Sequence, residues 1–234
     1  VTMDPEEKIT QELKDLFGRT VSTHASVQDG SGDRAVIAGY EHDIVGNVLK
    51  ETPPEEPGAA LDPSTFQYNT LGQLIYKKTP DGAIERMEYD DAGNLSQKLL
   101  FVLNGTEDLI RSLRYTYDNL GRLTEIIEDP IDIDPQLVMH IQYFYDNTDE
   151  LVNNIDKYKI PRYFMLNSLD NLQGRLVAAV SSNIINGKPH YVTDLNSYDD
   201  EGRIKIKYKV IPGLPLQEIT YEYDIHGKLL KETF

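Results

Sequence analysis

The stretch Tyr115-Thr116-Tyr117-Asp118-Asn119-Leu120-Gly121-Arg122-Leu123 decides the fold. An Asp-x-x-Gly step between two alternating runs of aromatic and β-branched residues is a β-hairpin signal. The Asp118 carboxylate bonds the backbone two residues on, which opens a type I turn. Gly121 takes the left-handed conformation that completes a three-residue hairpin loop. In that register Asp118 faces Arg122, a cross-strand charge pair that contributes about 0.2–1 kcal/mol. One step out, Tyr117 faces Leu123, an aromatic–aliphatic pair on one face of the hairpin.

The stretch recurs along the chain. Close copies are Tyr198-Asp199-Asp200-Glu201-Gly202-Arg203-Ile204 and Tyr221-Glu222-Tyr223-Asp224-Ile225-His226-Gly227-Lys228-Leu229. Tyr89-Asp90-Asp91-Ala92-Gly93-Asn94-Leu95 also matches, and weaker copies begin at Tyr68 and His42. A seventh copy is expected at Tyr145 to Leu151, with Asp149 in the glycine slot, and an eighth at Asp170 to Leu176. The Asp or Asn positions 43, 69, 90, 118, 146, 170, 199 and 224 are 21 to 29 residues apart, so one hairpin unit organises most of the chain. Within it Asp199 pairs Arg203, Asp224 pairs Lys228, and Tyr223, Tyr89 and Tyr198 oppose Leu229, Leu95 and Ile204.

The unit resembles the YD repeat of the RHS family, whose pattern is Tyr-Asp-x-x-Gly-Arg-Leu. The turn residues Asp90, Gly93, Asp118, Gly121, Arg122, Asp199, Gly202, Asp224 and Gly227 carry the resemblance, which covers residues 36–234. It implies successive hairpins wound into one curved antiparallel sheet. In large members that sheet encloses a cargo toxin or forms part of a cell-surface shell. Small secreted bacterial lipoproteins with a porin-like sheet carry the same motif, and the length here is closer to theirs. The C-terminal core segment that bears a toxin and a self-cleavage site in large members has no match, so toxin delivery and autoproteolysis are not expected of this chain.

Outside the repeat, Asp4 to Gly18 reads as a helix. Asp4 is the N-cap, Pro5 the first helical residue, Ile9, Leu13, Leu16 and Phe17 an apolar stripe, and Gly18 the C-cap. Gln28 to Asp33 reads as a linker, and Glu51 to Pro63, with its four prolines, as an exposed loop. Asp129 to Pro135 is a second loop, and residues 160–196 fit the repeat worst. The expected architecture is therefore all-β. Residues 1–35 form an N-terminal α-helix and linker. Residues 36–234 form a meander of seven or eight hairpins in a strongly curved or barrel-like antiparallel sheet.

Composition narrows the function. The 234 residues hold 23 Lys and Arg against 39 Asp and Glu, a net charge of −16. That charge disfavours phosphate backbones, so no nucleic-acid partner is expected, and it disfavours anionic lipid. No apolar run reaches the ~18–20 residues of a transmembrane helix. Zero cysteine excludes disulfides and thiolate chemistry. Exchanging the 15 Tyr for the 16 Gly leaves the apolar fraction near 39%, below the usual ~45–50%, so much of each element stays wet. The chain begins at Val1, and derivation from a longer, exported precursor is the expectation.

Chemistry is sparse. Asp129, Asp132 and Asp134, and separately Asp29 and Asp33, offer hard oxygens for calcium, but prolines interrupt the first run and neither makes an EF-hand loop. His24, His42, His140, His190 and His226 lack metal-site spacing. There is no nucleophile elbow and no P-loop. No catalytic residue, cofactor or metal is therefore expected. The 15 tyrosines are the surplus, and the ligand face expected from them is Tyr158, Tyr163 and Tyr191 in the worst-fitting segment. The main expectation is a non-enzymatic exported structural or binding module, extracellular, periplasmic or anchored at the outer membrane, with a cell-surface protein or glycan as partner. A fragment of a larger RHS-type toxin shell and a glycan-active enzyme are the alternatives.

Overall fold

Each Asp-x-x-Gly step that folds as a tight turn sends one strand in and one strand out, so the chain forms an antiparallel meander. The computed structural model describes residues 2–3, 9–29, 32–54, 62–129, 139–161, 169–185 and 188–234. Among them are seventeen strands and a single short helix, α1 (Asp149–Asn153). The architecture is all-β. The chain divides into two compact units, residues 1–89 with 97–111, and residues 90–96 with 112–234.

The first unit holds β1 (Thr2–Met3), β2 (Ile9–Lys14), β3 (Thr20–Asp29), β4 (Gly32–His42), β5 (Val48–Thr52), β6 (Ser64–Tyr68), β7 (Leu74–Lys78) and β8 (Ala83–Tyr89). Each is antiparallel to the next. The hairpin of β9 (Leu95–Leu103) and β10 (Glu107–Tyr117) adds its Gln97–Arg111 end. There Leu103 donates its N–H to the Gly82 carbonyl at 3.2 Å, and Lys98 pairs with Glu85 at 2.9 Å. The Arg86 guanidinium lies 4.6 Å from the centre of the Phe101 ring and also pairs with Glu107. Ile84 and Phe101 are this unit's buried apolar side chains among the described residues.

Three expectations need correction here. The helix expected over Asp4 to Gly18 is absent from its described part: Ile9–Lys14 is β2, paired with β3, and Asp15 to Gly18 is a turn. Asp15-Leu16-Phe17-Gly18-Arg19 is itself a copy of the repeat, and cross-strand pairing outweighs a helical apolar stripe. Leu16 and Phe17, 101% and 82% exposed, occupy the turn tip, and no core takes them. The linker expected at Gln28 to Asp33 is hairpin instead, with Gln28 opposite Asp33 and Asp29 opposite Gly32. A boundary at residue 35 consequently falls inside β4. The Asp4 cap and most of the loop from Glu51 to Pro63 lie outside the described residues.

The second unit continues with β11 (Leu123–Asp129), β12 (His140–Tyr145), β13 (Leu176–Ile185), β14 (Lys188–Tyr198), β15 (Ile204–Val210), β16 (Gln217–Tyr223) and β17 (Leu229–Thr233), again each antiparallel to the next. Between β12 and β13 the chain makes a long excursion that includes α1. Leu151, Tyr158, Ile160 and Leu169 of that excursion pack on Phe144, Val177, Val180, Leu195 and Val210 of the strands, the main buried core. The seventh and eighth hairpins expected at Asp149 and Asp170 are therefore corrected. Asp149 opens α1, and Tyr145 pairs directly with Leu176.

Candidate functional site

Among the described residues, the site is the turn ladder and the place after Tyr145 where it breaks. At Asp118 one carboxylate oxygen accepts the N–H groups of Leu120 and Arg122, both at 2.9 Å, and the other accepts Arg122 Nε at 2.7 Å. Gly121 donates to the Asp118 carbonyl, and Asp118 to the Arg122 carbonyl, both at 2.9 Å. Gly121 has φ 74°, and the strand register shifts by one residue beside Tyr117, the bulge that such a loop requires. The same backbone pair recurs at Asp15, Asp43, Asn69, Asp90 with Gly93, Asp199 with Gly202, and Asp224 with Gly227. A further turn, Thr79 to Gly82, has threonine in the first slot. The opposed pairs Tyr117–Leu123, Tyr198–Ile204 and Tyr223–Leu229 stand in the expected register.

These bonds favour the ionised carboxylate at Asp15, Asp43, Asp90, Asp118 and Asp199. The Arg122 N–H donates to Asp118 and holds its pKa below the ordinary carboxylate value against an opposing effect of burial. At Asp90 the Asn94 side chain is the chief cause of the same lowering. At Asp15, Asp43 and Asp199 burial pushes upward, but the summed hydrogen bonds outweigh it. At Asp224 the carboxylate takes the His226 and Lys228 N–H groups.

Neighbouring repeats are stitched by two further motif letters. Five motif tyrosine hydroxyls donate to the carbonyl at the motif leucine slot of the preceding repeat: Tyr89 to Leu74, Tyr117 to Leu95, Tyr145 to Leu123, Tyr198 to Leu176 and Tyr223 to Ile204, at 2.7 to 3.0 Å. Each motif arginine reaches forward. Arg122, Arg175 and Arg203 lie over the rings of Tyr145, Tyr198 and Tyr223 at 4.4, 5.5 and 4.8 Å. Arg19 donates to the Asp43 carbonyl at 2.6 Å. Burial pushes the phenols of Tyr117, Tyr145 and Tyr198 upward.

The break lies after Tyr145. Asp146 donates its N–H to the Arg175 carbonyl at 3.2 Å, and its carboxylate accepts the Gly174 N–H at 2.7 Å. The first is the backbone bond of an ordinary turn, while the Gly174 N–H goes to the Asp146 carboxylate and not to its carbonyl, and Gly174 stands 28 positions after Asp146 instead of three. The two weak copies are the halves of one repeat, split by an insertion of about 25 residues. Arg122 secures the split by gripping Asp146 through both terminal nitrogens, at 3.1 and 2.8 Å. That grip is the first cause of the lowered Asp146 pKa.

The tyrosine face is not an open one. Tyr158 is 1% exposed, with its ring 5.7 Å from Phe144 and 5.9 Å from Tyr191. It is a core side chain, which corrects the expectation of a ligand contact there, and Tyr191 packs half-buried against the same cluster. Tyr163 lies outside the described residues, as do Asp132 and Asp134. Asp129 is engaged by Arg114 and Ser112. His140 bonds Glu125 at 2.7 Å and His24 bonds Ser22 at 3.0 Å. Among the described residues no three His, Asp or Glu side chains group to hold a metal. A cavity of about 180 Å³ opens beside the split, walled by Arg122, Thr124, Tyr143, Tyr145, Asn147 and Glu150.

Sequence reading missed the copy at Asp15, although its Asp-x-x-Gly-Arg letters are intact, because the apolar spacing around it also suits a helix. It missed the hydroxyl-to-carbonyl stitch because the partners lie 15 to 22 residues apart.

No protein-family model and no curated protein matches the sequence. Among solved structures, the crystal structure of TcdB2-TccC3 aligns at TM-score 0.54 and 13% identity, over 90% of this chain and 12% of that one. TcdB2-TccC3 without its hypervariable C-terminal region aligns at TM-score 0.55 and 12% identity, over 93% of this chain and 12% of that one. The chain thus spans about 12% of the length of these structures and shares the fold of that segment.

Proposed function

We propose that the chain is a non-enzymatic structural segment, a run of wall in a larger exported shell built from the same hairpin repeat. The observation that carries this reading is the stitch: five motif tyrosines and all four motif arginines contact the adjacent repeat. Such residues make a sheet that extends by adding neighbours, with stability spread along the chain. The shared fold with a 12% segment of TcdB2-TccC3 supports the same view, as does the resemblance to RHS repeats that enclose cargo. The partners are further repeats of the same shell, and the groups with shifted pKa values that form the turns are engaged in turn structure. An antiserum raised against the chain tests it, by immunoblot of supernatant, periplasm and cytosol from the source cells. The expected band lies far above the 26.6 kDa of this chain and outside the cytosol. A band near 26.6 kDa overturns the shell reading in favour of a self-contained module, and a cytosolic band overturns export.

A further inference from the structure

The first unit carries an apolar rim that its turns do not need. The turns after β2, β4 and β6 are alternate connections of an antiparallel meander, so all three stand at one end of this unit's strands. Successive turns at one end lie two strands apart, about 10 Å. Arg19 of the first turn reaches the Asp43 carbonyl of the second. The tips are Leu16-Phe17, Ile44-Val45 and Thr70-Leu71. The five large apolar side chains among them are each more than three-quarters exposed, Phe17 even with the Arg19 guanidinium 5.0 Å from its ring centre. Tight turns ordinarily take Asn, Asp, Ser or Gly at such places. Tips of the second unit follow that rule more closely, with Asp91, Asn119, Asp200, Glu201 and His226.

Two observations say what covers the rim. The first is its backbone. Below the headgroups a bilayer offers peptide groups no hydrogen bonds, so a loop that enters it must satisfy its own. These turns do. Asp15 takes the N–H groups of Phe17 and Arg19 on its carboxylate and that of Gly18 on its carbonyl. Asp43 takes those of Val45, Gly46 and Asn47 on one carboxylate oxygen, at 2.8 to 3.0 Å. Asn69 takes those of Leu71 and Gln73 on its side chain and that of Gly72 on its carbonyl. The second observation is charge. No tip residue of the rim is charged, and the two turn carboxylates point back into their turns, that of Asp15 paired with Arg19 at 2.6 Å. The whole chain carries −16, which repels an anionic surface. A neutral rim on an acidic protein fits an apolar phase behind a surface of no net charge. A convex row of side chains also suits a fluid surface, which yields to any shape.

We propose that the turn tips at Leu16-Phe17, Ile44-Val45 and Leu71 dock the first unit on the surface of a zwitterionic lipid bilayer, with the five side chains in the acyl boundary. The inference goes beyond the wall reading and stands without it. Flotation of the whole chain with phosphatidylcholine vesicles tests it, at about 1 mM lipid, enough to capture binding as weak as that of one acyl anchor, ~10⁴ M⁻¹. The chain is expected to float with the vesicles. Phe17→Ser and Ile44→Ser should each lower the partition constant about tenfold, the effect of withdrawing one large apolar side chain. Both residues are exposed, so melting temperatures stay unchanged. Leu120→Ser, a lone apolar tip of the second unit, should leave binding unchanged. Phosphatidylserine at about 30 mol% should weaken binding at low salt, and sodium chloride at about 0.5 M should restore it. No flotation with phosphatidylcholine, tighter binding to the anionic vesicles, or equal losses in all three variants overturns the proposal. So does self-association in the absence of lipid that Phe17→Ser abolishes, which would assign the rim to a second copy of the chain.

Discussion

At the scale of single residues, every letter of the repeat has a contact that explains it. Glycine is needed because the turn ends in left-handed backbone, where a Cβ is strained by roughly 1–2 kcal/mol. Gly227, at φ 82°, has no atom within 4 Å of an added Cβ, whereas at Gly202, φ 84°, that Cβ meets Arg175 Nη2 at 2.5 Å. Urea unfolding should therefore rank Gly202→Ala as more destabilising than Gly227→Ala, with the latter near 1 kcal/mol; equal effects would mean that Arg175 moves aside freely. The carboxylates of Asp90, Asp118 and Asp146 set the acid limit. Their folded pKa values lie below 3.8, so their contribution is complete above the unfolded value and is lost as pH falls through the folded one. The phenols of Tyr117, Tyr145 and Tyr198 set the alkaline limit. Their folded values lie above the ordinary 10, so their contribution is complete below pH 10 and is lost as pH rises through the folded value. Thermal midpoints should be flat between about pH 5 and 9 and drop on both sides, and Asp118→Asn should shallow the acid limb. A midpoint still rising below pH 4 contradicts the assignment.

At the scale of elements, the insertion between β12 and β13 is a cover laid onto a sheet that is already registered. Its ends already meet, Asp146 N–H on the Arg175 carbonyl and Gly174 N–H on the Asp146 carboxylate. Deleting residues 147–171 leaves Asp146-Leu172-Gln173-Gly174-Arg175, a regular turn sequence. That variant should keep its β circular dichroism, because β12 and β13 retain their register. It should also melt lower and bind more of an apolar dye, because Val177, Val180 and Leu195 lose their cover. Loss of the β signal would show that the insertion, and not the turn, holds the two strands together. A milder probe of the same element is Leu151→Ala. Leu151 is fully buried, so truncation leaves a cavity and lowers unfolding free energy by about 2–5 kcal/mol in chemical denaturation.

At the scale of the whole molecule, charge dominates. A net charge of −16 repels itself, and surface ion pairs contribute little to offset it. Raising sodium chloride from about 0.01 M to 0.5 M shortens the screening length from ~30 Å to well under 10 Å, so the melting temperature should rise by several degrees. A fall would show that pairs such as Arg114–Asp129 outweigh the general repulsion.

What the sequence determined by itself is the hairpin unit: its turn, its register, its opposed Tyr–Leu pairs and therefore an all-β meander. Those features are local. A carboxylate two residues from an N–H, a glycine at a left-handed position and a period of two are all readable within nine residues. Tertiary structure alone decided three things. It turned the stripe at Ile9 to Phe17 into a strand and a turn, because pairing with β3 outweighs a short helix with nothing to pack on. It joined Tyr145-Asp146 to Gly174-Arg175-Leu176 as one repeat, because strand pairing selects partners by edge geometry and tolerates a long loop at little entropic cost. And it moved Tyr158 from a supposed ligand face into the core, because burial is decided by which surfaces meet, and the strands that cover Tyr158 lie far from it along the chain.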